Sequence, residues 1–581
     1  MTAPTSPADA LEAALGDLED LARDSAALDA AERFPAEACA RLDALGLPAH
    51  YVPAEWGGAL HDHERLIGLW RGVARRDVSI AVAHGKTYLG AAPVWDAGTP
   101  EQARDTAAAI LAGTPIAWAL SEPDHGADLL NGGLTATVTG DGYRLDGLKW
   151  PVNNATRGGR LTLLARTGAP GTARGHSLFV VDKSALPADT WRNPAKAPTH
   201  GIRGIDISGI EFDGAPLPAD ALLGPAGSGV ETVLRALQLT RITCGALSLG
   251  AGEHGLRLVA RFTAERIIQH RPLLDRAYPG SILARCAALL AAAEATTLIG
   301  ARSVHSLTGE LSVTSAVVKS LAPTLVDSLL GELSELLGVR SYLTGTYEHG
   351  AFQKLWRDHQ VVAVFDGSTP VNRSALAQQF PRLARALAAG DIDADGLAEA
   401  AASGTPPRPL DRGAQSLLSR TGCSVVQSLP ALAEALAAHG APDGLAEHAA
   451  ALAAAARRLG TLLAEVRPAA RPPMAAYELA AAYELCYAGA AVLQLWTYGA
   501  PAHRGEPLWQ DGLWARAALR ALRVRLAAVL RTPAPADAPG DERIDAALSR
   551  HIAGAAETGA PVTPFGAPLP MSAVRSEGAS A

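Results

Sequence analysis

Aromatic residues are scarce in this chain: 8 Phe, 10 Tyr and 10 Trp among 581 residues. Methionine occurs three times and cysteine five. The cysteines (Cys39, Cys244, Cys286, Cys423, Cys486) are odd in number, scattered and free of any C-x-x-C spacing. That excludes a zinc ribbon and a disulfide framework, and leaves buried thiols in a reducing compartment as the expectation. There is no excess of positive charge. The formal net charge of -8 gives no basic face for a nucleic-acid partner. The N-terminus lacks a basic stretch followed by an apolar one, and no uninterrupted apolar run suggests a membrane span, so a cytoplasmic protein is expected. The sixteen histidines form no ligand pattern, and no metal is assigned. His349 and His359 are expected on loop or helix surfaces.

What the chain has instead is alanine and helical spacing. Residues 1–115 carry it, with Ser6-Pro7 as a helix start and Leu11, Leu15, Leu18 and Leu21 recurring behind it. A second helix should begin at Phe34-Pro35 and stop at Gly46. Between 116 and 226 the period changes to two. Leu134 to Thr139 alternates, Asp141-Gly142 turns, and Tyr143 to Gly147 continues, a hairpin signal because Asp-Gly supplies the positive φ of a tight turn. Further strands are expected at 161–166, 176–181 and 205–212. Helical spacing returns over 227–389. Residues 390–413, containing Thr405-Pro406-Pro407, read as a linker. Residues 414–560 form an Ala/Leu/Arg helical extension, and 561–581 read as a disordered tail. Arg516, Arg520, Arg523 and Arg525 read as a solvated helix face, which makes membrane association unlikely. The fold class is α+β.

The stretch Val364-Phe365-Asp366-Gly367-Ser368-Thr369-Pro370-Val371-Asn372-Arg373 places one carboxylate at the end of an apolar run, just before a helix start. On its own, Asp before Gly is most often a turn residue. Ser368 or Thr369 is expected to cap the next helix, with Pro370 near its first position. The helix dipole and Arg373 would both favour ionisation of a nearby carboxylate.

Together with Trp118-Ala119-Leu120-Ser121-Glu122-Pro123, Gly126-Ala127-Asp128 and Gly147-Leu148-Lys149, this stretch resembles the acyl-CoA dehydrogenase family over about Phe34 to Phe380. The resemblance implies an N-terminal helical domain, a middle antiparallel β-barrel and a C-terminal four-helix bundle, here with the added helical extension. It implies FAD as cofactor and Asp366 as the base that takes the α-proton of an acyl thioester while flavin takes the β-hydride. The family's usual base is glutamate; aspartate is shorter by ~1.5 Å, about one C–C bond.

The resemblance further implies flavin contacts at Trp118, Leu120 and Ser121, and at Pro151 and Asn153, which stand where the family has an aromatic and a threonine. Ser368 joins the cofactor set. Arg266 would reach the flavin pyrophosphate of a neighbouring subunit and Gln269 would join it as a cofactor contact, in a motif altered at Gln269 and His270. Gly338 would lie at the adenine-side diphosphate, although Glu335 opposes phosphates there. Ala127, Arg241 and Gly367 would line the substrate. The acyl group would ride on CoA or a carrier protein, with electron-transfer flavoprotein or oxygen as acceptor and a homodimer as assembly. Two alternatives stay open: a nitroalkane-oxidase-like enzyme, which also uses Asp-Gly with an arginine seven residues on, and a non-catalytic flavoprotein subunit.

Overall fold

The structure is a computed structural model that describes residue 15 and residues 19–568, apart from 173, 440, 443, 504 and 536–539. The expected helix start at Ser6-Pro7 and most of the tail, 569–581, lie outside the described residues. The chain divides into two compact units.

The first unit holds residues 20–61 and 77–240 among those described. Its helices Val78–Ala97 and Pro100–Leu111 precede an eight-stranded sheet. The strands are β1 (Ile116–Ala119), β2 (Thr135–Val138), β3 (Gly142–Asn153), β4 (Arg160–Arg166), β5 (His176–Asp182), β6 (Trp191–Arg192), β7 (Ile207–Pro218) and β8 (Leu222–Leu223). They run in the order β6-β7-β3-β2-β4-β5-β8, with β1 parallel to β4 and most other pairs antiparallel. The alternation read from the sequence has a physical cause. Ala117, Ala119, Leu134, Ala136, Leu145, Leu161, Leu163 and Phe179 point into one apolar core, each burial of a large side chain being worth roughly 1.5–3 kcal/mol. β4 is covered on both faces, which is why its interior is apolar apart from Thr162. Gly90 lets the helix Val78–Ala97 lie directly on β1, because a Cβ there would meet the Ile116 and Ala117 carbonyl oxygens at 2.8 Å. Thr162 Oγ1 donates to the Gly90 carbonyl and pins the same contact.

The second unit holds residues 15 and 19, residues 62–76 and the described chain from 241 onward. Its centre is three long helices, Gly245–Glu265, Ala277–Ser306 and Leu311–Leu337, joined by the helix Met474–Gly499 of the extension. Three of the helices here have the length and hydropathy of membrane spans (Ala277–Ser306, Thr308–Ser341 and Met474–Gly499), yet 83–89% of each apolar window is buried within the protein. They are apolar all round because other helices surround them, and their scattered polar residues break each apolar run in the sequence.

Other expectations are corrected here. Residues 390–413 contain a helix, Ala394–Ala401, started by the Asp393 side chain accepting from the Gly396 N–H at 2.8 Å. Residues 561–568 pack rather than trail: Val562 and Thr563 are buried, and Thr563 Oγ1 donates to Glu294 at 2.7 Å. The arginines of the helix Leu513–Leu530 are joined to neighbouring elements rather than simply solvated. Arg520 pairs with Asp541 and Asp545, and Arg525 donates to Ser328 Oγ at 2.8 Å. His359 is fully buried, its Nδ1 2.6 Å from Asp327 and its Nε2 3.0 Å from Ser248. All five cysteines are buried free thiols. Among the described residues no His/Cys/Asp/Glu group could hold a metal ion.

Candidate functional site

Residues of interest lie in both units, and each group is built by its own surroundings. In the first unit, Trp118 and Leu120 alternate with the core residues Ala117 and Ala119, so they face the other side of β1 and are only half-buried. Past the end of β1, Ser121 accepts from the Trp150 N–H at 2.9 Å, which brings the end of β3 alongside. Pro151 is exposed there and Asn153 half-buried. Beneath this edge lies a buried ion pair, Lys149 Nζ to Glu122 Oε1 at 2.7 Å, with Lys149 also donating to the Leu120 carbonyl at 2.9 Å. Burial pushes the Glu122 carboxyl up, but Lys149 and the Gly133 and Leu134 N–H groups outweigh it and hold the value below the usual range. Burial also lowers the Lys149 ammonium, against the pull of Glu122. The pair therefore acts as a rivet for the ends of β1 and β3. Ala127 sits on the exposed turn beyond, next to Asp128, which accepts from Asn131 at 2.7 Å.

Two polar atoms of this edge, Trp118 Nε1 and Asn153 Oδ1, are buried without a hydrogen-bond partner. Buried polar atoms are normally satisfied, and two such orphans are what a flat heteroaromatic ring with polar rims could complete. The residues present fit the flavin end of FAD.

In the second unit, the apolar run before Asp366 is a short 3-10 helix, Gln360–Ala363, and the helix Thr369–Ala377 follows it. Asp366 sits between them at φ +54, a left-handed conformation uncommon outside glycine that Asp adopts in turns, and here it is held by its neighbours. The surroundings are two cationic side chains. Arg241 Nε donates to the Asp366 carbonyl at 2.9 Å. Lys319, almost fully buried, donates to the Val362 carbonyl at 2.7 Å and the Gly367 carbonyl at 3.1 Å. Asn372 Nδ2 adds a further donor to Gly367, at 2.9 Å. Gly367 has φ +94, and a Cβ there would lie 2.8 Å from Arg241 Nη2, so only glycine fits. Cys244 Sγ lies 3.8 Å from the Asp366 carboxylate. Burial lowers the Arg241 guanidinium to about 10 against the pull of Asp366 and Cys244, and it remains charged at neutral pH.

Sequence reading thus places Asp366, Gly367 and Arg241 together. It misplaces Arg373, which does not turn to Asp366 but forks onto the buried Glu484 of the extension, Nε 3.0 Å from Oε1 and Nη2 2.9 Å from Oε2. Ser368 occupies the N-cap with no side-chain cap bond, so the helix start rests on Pro370 and on Asn372 bonding back to the Ser368 carbonyl. Arg266, Gln269 and His270 are exposed on a two-stranded ribbon, β9 (Ile267–Ile268) and β10 (Arg271–Pro272), with Gln269 and His270 both at positive φ in its turn. Gly338 is exposed at φ +59, and Glu335 accepts from Tyr278 at 3.4 Å. The cofactor candidates Arg266, Gln269 and Gly338 are therefore not gathered with Asp366 among the protein's own hydrogen bonds. Lys319, Cys244 and Glu484 were missed. A lone lysine in Ala316-Val317-Val318-Lys319-Ser320-Leu321 was the available signal, since an ammonium inside an apolar helix must find carbonyls.

Comparison with known proteins agrees with this architecture. Three domain signatures match in chain order: acyl-CoA dehydrogenase N-terminal domain at 18–114, middle domain at 117–215 and C-terminal domain at 227–380. The probable acyl-CoA dehydrogenase fadE25 of Mycobacterium leprae is 26% identical over 365 residues, 63% of this chain and 92% of that one. The human mitochondrial short-chain specific acyl-CoA dehydrogenase is 26% identical over 363 residues, 62% of this chain and 85% of that protein. An acyl-CoA dehydrogenase complexed with FAD from Bacillus anthracis shares the fold over 93% of this chain and 91% of its own, with a TM-score of 0.66 at 18% identity, so its likeness takes in the extension as well. Helical, β and helical regions in the family's order, matched by all three of its domain signatures, show that this chain belongs to the acyl-CoA dehydrogenase family, whose members are FAD-dependent oxidoreductases.

Proposed function

We propose that the protein is an FAD-dependent dehydrogenase of an acyl thioester, carried on CoA or a carrier protein, with Asp366 as the base that removes the α-proton. The observation that carries this reading is the held turn at Asp366. Two cations and a glycine that admits no side chain fix its backbone, so the carboxylate is presented from a rigid support rather than a mobile loop. In the proposed reaction Asp366 accepts the α-proton at its carboxylate, and its backbone N–H polarises the thioester carbonyl. Arg241 and Lys319, both bound to backbone carbonyls of this turn, favour the charge that develops on the carbonyl oxygen. FAD, when bound, supplies the acceptor for the β-hydrogen and its electron pair. Trp118, Leu120, Ser121, Pro151 and Asn153 would hold its ring, and Arg266, Gln269, Gly338 and Ser368 its remaining parts. Ala127 and Gly367 would border the acyl group.

Electron-transfer flavoprotein or oxygen would then reoxidise the cofactor. A cytoplasmic homodimer is part of the same proposal, supported by the five free thiols and by the exposed apolar residues Ile267, Val339 and Tyr342. For the nitroalkane alternative, Asp366 and Gly367 stand as that reading requires, while Arg373, seven residues on, pairs with Glu484. Anaerobic titration of the yellow holoprotein with a chain-length panel of acyl thioesters tests the reading. Bleaching of the flavin by at least one thioester is expected; no bleaching by any of them, or oxygen uptake with nitroalkanes alone, would overturn it.

A further inference from the structure

The Glu484 carboxylate is fully buried in the middle of the helix Met474–Gly499, in the extension that follows the family's three domains. Burial raises its pKa against the pull of Arg373 and Ser320, a cost that a stabilising role alone does not require, because an apolar residue of like volume usually serves stability as well or better. Its partners give it a different use. Arg373 lies one turn into the helix Thr369–Ala377, whose start follows Asp366, Gly367 and Ser368 directly. Ser320 Oγ donates to the same Glu484 oxygen at 2.6 Å. The residue just before it, Lys319, holds the Gly367 carbonyl at 3.1 Å. One dipeptide of the helix Leu311–Leu337 thus grips the base turn with one side chain and the extension with the next. Removing Glu484 would leave Arg373 without its carboxylate and untie the start of the Thr369–Ala377 helix from the extension, while Ser320 would keep its bond to the Ala316 carbonyl at 2.6 Å.

We propose that Glu484 is a positioning residue for the reaction: through Arg373 and Ser320 the C-terminal extension sets where the Asp366 turn stands. The proposal rests on the reading of Asp366 as base. It makes the extension a working part of the site rather than only a cover on the bundle.

The test uses full-length holoprotein carrying Glu484→Gln, Arg373→Gln, the double substitution, or Glu478→Gln. The last is a control on the same helix, where Glu478 forms an exposed pair with Arg531. The expected result is that Glu484→Gln keeps its FAD, while flavin reduction at saturating thioester slows about tenfold or more and the half-saturating concentration moves less than about twofold. The double substitution should lose no more than the worse single one, since both break one connection, and Glu478→Gln should react as wild type. A wild-type reduction rate in Glu484→Gln overturns the proposal. So does a loss confined to FAD content or folding, with the rate per bound flavin unchanged. Amide hydrogen exchange at residues 364–369 separates this from failure of the functional reading. Should no thioester reduce the wild type, faster exchange there in Glu484→Gln still supports the positioning role, and unchanged exchange refutes it.

Discussion

At the scale of single residues, the account turns on backbone held by charge. Gly367→Ala should be far more damaging than its size suggests. The substitution puts a Cβ 2.8 Å from Arg241 Nη2 and forces φ +94 on an L-residue. The expected outcome is a protein that keeps FAD but reduces it at least about tenfold more slowly, measured by stopped-flow absorbance. Lys319→Met removes the ammonium at nearly constant volume and leaves the Val362 and Gly367 carbonyls without that donor. It should lower stability by about 1–3 kcal/mol in denaturant unfolding and slow the same reaction. These residues differ in how far the sequence disclosed them. Asp366, Gly367 and Arg241 were legible because they belong to a local pattern or a family motif. Glu484 was not, because its partners lie 111 and 164 positions away and a glutamate in an Ala-rich helix has the look of a surface residue. Arg373 was misread for the same reason: proximity in sequence suggested Asp366, while a buried carboxylate from afar offered a better fork.

At the scale of elements, β-strands declared themselves through alternation and the Asp141-Gly142 turn, and the strand expected at 161–166 is β4, Arg160–Arg166. The segment after Asp366 was legible as a helix from Pro370, but its cap was not, since Ser368 makes no cap bond. Composition failed where polar or Pro-rich segments are pinned by distant groups, as at Ala394–Ala401 and residues 561–568. The latter are tied to a buried ionic cluster. Arg71 Nη2 donates to Thr563 at 2.8 Å and Arg71 Nε to Glu253 at 3.1 Å, with Arg75 and Arg257 also on Glu253.

Burial raises the Glu253 carboxyl, but Arg71, Arg75 and Arg257 outweigh it and hold the value at about 2. A carboxylate whose pKa is depressed by folding contributes stability above its unfolded value, ~4.3, and loses it as pH falls toward the folded one. Thermal midpoints should therefore decline below about pH 4.3, and Glu253→Gln should flatten that decline. A decline of the same steepness in the variant would show that other carboxylates carry it.

At the scale of the whole chain, the extension is the part that family membership explains least. Its sequence is biased toward Ala, Leu and Arg, which hides both the buried Glu484 and the helix-to-helix pairs of Arg520 and Arg525. Truncation after residue 389 should leave the bundle helices Ala277–Ser306 and Leu311–Leu337 with uncovered apolar faces, because the Met474–Gly499 helix packs on both. The expected result is aggregation rather than a smaller active enzyme, checked by size-exclusion chromatography. For the homodimer proposed above, sedimentation velocity of the full chain should give a single species of twice the 59.9 kDa chain mass.

The central claim is that the Asp366 carboxylate takes the substrate's α-proton, and pre-steady-state flavin reduction in Asp366→Asn tests it most directly. With a thioester that bleaches the wild type, the variant should bind FAD and thioester but reduce ~10²–10⁴-fold more slowly, the usual worth of a positioned base. Reduction of Asp366→Asn at the wild-type rate would contradict the account.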